Sequence, residues 1–300
     1  MYLLKVSSMP PKKPTNNTQG PLLSASDPEP YTLIEADSPL ILAGPHNAYY
    51  VPESLYMGNR PLGVHRSAFK PLSPFKRHEA CDWGMQRLFA ALQGGEVTAT
   101  NKCNYLSSNY SRLVTDLNRA PEDSMSQQSE ETGNIVAGNT LLTKAQKQER
   151  IDQVFMPYHN ALKDLIKAKK EKFGYVLFLD LHSFTPVWRH KVRKVQIGSL
   201  AFDNNPLEPI VAEELRALCK DKKLKFVSHA PYRMDDYPPH KQYSSIQIEK
   251  YGALYTGLEV RNDLLRTPKK AKDIAKILEA LIQSLLDQKD KSLFDPTYAE

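Results

Sequence analysis

The chain has 300 residues, 41% of them hydrophobic and 25% charged, with a formal net charge of +6. That is ordinary globular composition with enough chain for one large core. Three cysteines, Cys81, Cys103 and Cys219, match no thiolate metal spacing, and no apolar run approaches the length of a membrane span, so both classes are excluded.

In chain order, residues 1–28 are rich in Pro, Ser, Asn, Thr and Lys and read as a disordered leader ahead of a single domain over 29–300. "SPLILAG" (38–44), closed by Gly-Pro, predicts a buried strand. Residues 58–76 read as loop. "HEACDWGMQRLFAALQGG" places Leu88, Ala91 and Leu92 on one helical face and stops at Gly-Gly. "EVTAT" (96–100) predicts a strand, and residues 120–134 a long polar loop of the kind that carries function. A helix over 141–172 is expected to break near Pro157. Residues 174–180 make the clearest strand. Asn205 and Pro206 open a helix, 224–230 and 254–260 predict strands, and an amphipathic helix spans 268–287 from a proline. Strands alternating with helices predict an α/β fold, a central sheet with helices on both faces. The lysines cluster on predicted helix faces, as solvated charge does. A nucleic-acid surface would interleave them with exposed aromatics or carry a known motif, and neither is present. The expectation is a cytoplasmic protein that binds neither nucleic acid nor membrane.

In open α/β sheets, function collects beyond the carboxyl ends of strands. Three strands deliver polar groups there: His46 after the first, His182 and Ser183 in "FLDLHSFTP", and Glu259 in "LEVRND". Two strand-end histidines suit a catalytic metal, which needs a third protein ligand. No HExxH or HxxE spacing supplies it, so a carboxylate must come from elsewhere: Asp82 first, with Glu79 and Glu53 as alternatives. Asp180 shares a strand face with His182 if the strand runs regularly, and it is placed either to orient a loop or to accept a hydrogen bond in support of the ligand.

"YSRLVTDLNR" (110–119), "PYH" (157–159), "DLHS" (180–183) and "LEVRNDL" (258–264) together resemble the N-formylglutamate amidohydrolase family, in family order from about residue 38 to 287. "DLHSF" and "LEVRND" are also similar to segments of zinc carboxypeptidases, and "DLNR" to the substrate-binding segment of aspartoacylases. The resemblance implies a zinc-carboxypeptidase-like fold and a single zinc ion held by His46, Asp82 and His182. It implies Glu259 as catalytic base, Arg112 at the scissile carbonyl, and Asn118 with Arg119 on a substrate carboxylate. One loop would then present Arg112 and Arg119 to opposite ends of a small carboxylated substrate, an N-acyl amino acid such as N-formylglutamate. The segment "SHAPYRMDDYPPH" and Gln247 depart from the family pattern where specificity would be set. The alternative is a divergent member that binds a carboxylated ligand or short peptide, or cleaves a peptide-like amide. A degenerate site would have lost Glu259 or a histidine, and this one retains them.

Overall fold

A computed structural model describes residues 22–56, 81–94, 102–128, 136–140, 142–203, 205–288 and 291–294. The expected loop at 58–76, the expected strand at 96–100 and Glu79 lie outside these residues, as does the side chain of Glu53. The strands are β1 (Tyr31–Ile34), β2 (Leu40–Gly44), β3 (Asn104–Ser108), β4 (Leu177–Phe184), β5 (Val187–Trp188), β6 (Lys191–Val192), β7 (Ile197–Leu200), β8 (Phe226–Ser228) and β9 (Leu254–Arg261). The helices are α1 (Glu53–Tyr56), α2 (Met85–Gly94), α3 (Lys144–Arg150), α4 (Met156–Phe173), α5 (Leu207–Asp221), α6 (Tyr243–Lys250) and α7 (Pro268–Asp287).

Seven strands form one mixed sheet in the order β1-β3-β2-β4-β9-β7-β8, and β5 with β6 makes a separate hairpin. The central run β3-β2-β4-β9 is parallel, while β1 and β7 pair antiparallel with β3 and β9. Side-chain alternation sorts the core into two layers. Leu177, Leu179 and Leu181 pack with α2, α5 and α7 on one face, whereas Phe178 and Tyr255 pack with α4 and α6 on the other. This is the expected α/β class, a mixed central sheet with helices on both faces. By the same alternation Asp180, His182 and Glu259 belong to the α4–α6 face, and the parallel register sets His182 beside Glu259.

The expected break near Pro157 takes the form of a π-helical segment, Ile151–Phe155, between α3 and α4. Proline has no N–H to complete the helical ladder, and the wider turn accommodates the interruption. Asn205 opens α5 as expected, its Oδ1 accepting from Leu207 N at 2.9 Å. Leu22, within the segment expected to be a leader, is fully buried with Val51, Leu55 and Tyr110. Its carbonyl accepts from Ser54 Oγ at 2.6 Å. At β7, Gly198 lets the backbone of Ala230 approach so closely that a Cβ there would lie 1.7 Å from the Ala230 oxygen. No helix among the described residues is long and apolar enough to cross a membrane.

Candidate metal centre

The centre is assembled from five chain segments, four at the carboxyl ends of the parallel strands and one that leads into α2. The chain turns after β2 and buries His46. Asp82 N donates to His46 O at 2.9 Å, which brings the residue just before α2 onto that turn. The Asp82 carboxylate then faces both histidines: Oδ2 lies 2.8 Å from His182 Nδ1, and Oδ1 lies 3.6 Å from His46 Nδ1. Oδ2 also accepts from Ser183 N at 3.1 Å, so the carboxylate is fixed against β4. The two imidazoles meet edge-on, 5.2 Å between centroids. One potential ligand atom from each of His46, Asp82 and His182 lies within 4.8 Å of the others, and all three residues are buried.

The outward nitrogens are held as well. His46 Nε2 donates to Asp116 Oδ1 at 2.7 Å, and His182 Nε2 lies 3.2 Å from Asp180 Oδ2. A carboxylate behind an imidazole selects the tautomer whose other nitrogen is a ligand, and fixes the ring's direction. Asp116 is the residue that the sequence reading passed over, although it sits inside the quoted "TDLNR". It also accepts from Asn118 N at 3.0 Å and pairs with Arg112 Nη2 at 2.7 Å. Arg112 Nη1 reaches Asp82 Oδ1 at 3.4 Å. Arg119 Nε approaches the same Asp116 oxygen at 3.7 Å. The two guanidiniums therefore both approach one carboxylate. Asn118 Nδ2 lies 3.2 Å from His182 Nε2. All seven residues singled out in the sequence (His46, Asp82, Arg112, Asn118, Arg119, His182 and Glu259) line one cavity of about 970 Å³.

Electrostatics distinguish the groups. Burial opposes the charge on Asp82, but His46 and His182 overcome it and hold the carboxyl well below the usual range. Burial likewise acts against a charged His182, yet Asp180 and Asp82 together raise its pKa well above that of ordinary imidazole. Burial pushes Glu259 up to about 8, with Asp82 and Asp180 adding to the effect while His182 and Arg193 oppose it. Arg261, two residues after Glu259, pairs with Asp263, Nε to Oδ1 at 2.7 Å.

The residues fit a divalent cation. His46 Nδ1 is buried with no hydrogen-bond partner, and it faces the same point as Asp82 and His182 Nδ1. Four acids, Asp82, Asp116, Asp180 and Glu259, are buried around this point, and a bound cation would offset the cost of burying them. Two histidines and a carboxylate are the donor set of a catalytic zinc site with an open fourth position.

The family profile described as N-formylglutamate amidohydrolase matches residues 38–265. The N-formylglutamate deformylase of Pseudomonas putida is 28% identical over 156 residues, which are 47% of this chain and 55% of that protein. The N-formylglutamate deformylase of Pseudomonas aeruginosa is 26% identical over 152 residues, 46% of this chain and 54% of that protein. The chain thus spans about half the length of the curated relatives it matches. Among solved structures, a gene product of Agrobacterium tumefaciens superposes with a TM-score of 0.69 at 24% identity, over 88% of this chain and 98% of that one. The N-formylglutamate amidohydrolase of Ralstonia eutropha JMP134 gives 0.64 at 17% identity, over 86% and 97%. Both show the same fold.

Proposed function

Since the chain belongs to the N-formylglutamate amidohydrolase family, we propose that it is a zinc-dependent hydrolase of the amide in an N-acyl amino acid such as N-formylglutamate. The observation that carries the reading is the convergence of His46, Asp82 and His182, backed by Asp116 and Asp180, with Glu259 beside His182 across the β4–β9 register. A bound divalent cation supplies Lewis acidity, which makes water a nucleophile at neutral pH. Glu259 takes a proton from the attacking water and delivers it to the departing nitrogen, acting first as base and then as acid. A buried carboxyl with a raised pKa suits that double task. Arg112 lies over Asp82, where its guanidinium can meet the negative charge that develops on the carbonyl oxygen. Asn118 and Arg119 hold the carboxylate of the amine half, Arg119 by charge-assisted bonds that a planar guanidinium makes well. One water is consumed, the C–N bond breaks, and a carboxylic acid and an amino acid leave. The three buried cysteines fit a cytoplasmic setting.

The test is metal analysis of the purified protein, followed by assay of N-formylglutamate and other N-acyl amino acids. One equivalent of zinc and metal-dependent release of the amino acid are expected. A zinc-loaded protein that releases no amino acid from any of them would overturn the reading.

A further inference from the structure

The hydrolytic chemistry leaves one wall of the cavity without a role. Phe184, Trp188, Tyr232 and Tyr237 all line it. Phe184 ends β4 two residues after His182, Trp188 belongs to the β5–β6 hairpin, and both tyrosines follow β8. Arg193 is not among the lining residues, yet its guanidinium lies over the rings of Phe184, Trp188 and Tyr232 at 5.4, 5.0 and 5.2 Å. A cation shared among three ring faces binds their separate chain segments into one surface. Tyr237 joins it by an edge contact with Tyr232 at 6.2 Å.

The hairpin is also held at its base. Arg193 N donates to Pro186 O at 2.8 Å, and Arg193 Nη1 to Thr185 O at 3.3 Å. Arg261, two residues after Glu259, donates to Arg193 O at 2.9 Å. A two-stranded hairpin is marginal alone, so these bonds and the shared guanidinium are what keep Trp188 at the cavity. The aromatic wall is therefore positioned from the same strand ends that carry His182 and Glu259.

A formyl group carries one carbon and covers little of a four-ring wall. The carboxylate clamp at Asn118 and Arg119 comes from the segment after β3, whereas the wall comes from the segments after β4 and β8. We propose that the wall is a subsite for a flat, aryl-bearing acyl group, so that the preferred substrates are N-aroyl amino acids rather than N-formyl ones. The assignment to the acyl half rests on the hydrolase reading above.

The experiment measures binding without turnover. N-benzylglutamate and N-ethylglutamate keep both carboxylates and lack a scissile amide, and their affinities for the zinc-loaded full chain are read by calorimetry. The benzyl compound should bind at least ~5-fold more tightly, Trp188→Ala should bring the two within about two-fold, and Trp188→Phe should retain most of the preference. Equal affinities in the parent protein, or a preference that survives Trp188→Ala, would overturn the subsite. Assays of N-benzoylglutamate and N-formylglutamate separate the two claims. Cleavage of N-formylglutamate with no benzyl preference sinks the subsite alone. A Trp188-dependent preference with no cleavage of any N-acylglutamate sinks the hydrolase reading and leaves an aryl-binding site.

Discussion

Glu259 and Arg119 lie in the same cavity, but their removal should be felt differently. Glu259 Oε2 is buried without a hydrogen-bond partner, and the carboxyl is not one of the three clustered groups that could hold a metal. Glu259→Gln should keep the metal and lower kcat by at least ~10²-fold, the range for loss of a general base. Metal analysis and kcat measured on one preparation check this, and loss of the metal would make Glu259 a ligand instead. Arg119 Nε lies 3.7 Å from Asp116 and its residue lines the cavity, where a substrate carboxylate would meet it. Arg119→Ala should raise KM for substrates with a free α-carboxylate by the equivalent of about 2 kcal/mol, and matter little for matched amides without one. Equal losses on both would make Arg119 structural. Asp116 bonds the back of His46 at 2.7 Å. Asp116→Asn should weaken metal affinity by roughly 10- to 100-fold, as measured by competition with a chelator.

At the scale of elements, the site depends on how closely segments approach β7. Gly198→Ala sets a methyl against the backbone oxygen of Ala230, a neighbour that cannot swing away. It should destabilise the protein by about 3 kcal/mol in denaturant unfolding, the upper range for overpacking. Gly94, at the end of α2, has nothing within 4 Å of an added Cβ. Gly94→Ala should therefore be neutral or stabilise by up to ~1 kcal/mol, since alanine loses less entropy in a helix. A comparable loss at both positions would contradict the packing drawn here.

For the whole molecule, stability should depend on both metal and pH. A metal that binds only the native state at a hundred times its dissociation constant stabilises by about 2.7 kcal/mol. Chelation should then lower Tm by several degrees, and zinc should restore it. The acid limb has a different origin. His159 is buried, bonds Leu117 O at 3.0 Å, and is held down at about 4, mainly by burial. Its folded pKa lies below the unfolded value, so the unfolded chain binds the extra proton between about pH 6.5 and 4. Stability is present above that window and is lost as pH falls through it, by up to about 3 kcal/mol from this group. His159→Gln cannot take the proton, so its stability should fall less than that of the wild type over the same window. Parallel pH profiles for the two proteins would show that His159 is not responsible.

What the sequence alone determined about this protein has local causes. The apolar run before Asp180, the Asn205 cap, and the proline that opens α7 are periodic or capping signals within a few residues, and each marks an element found in the fold. Strand ends and the family resemblance also singled out seven of the residues that line the cavity. Other features depended on partners far along the chain. The "NYLSS" of β3 and "IGSL" of β7 are too short and too mixed in polarity to show as strands, and both are fully buried because neighbouring strands cover them. Asp116 meets His46 across 70 residues of chain. The rings braced by Arg193 come from the end of β4 and the segments after β4 and β8. Periodicity and capping are written in neighbouring residues. Register and long-range contact follow from which surfaces exclude water together, and only the tertiary structure decides that.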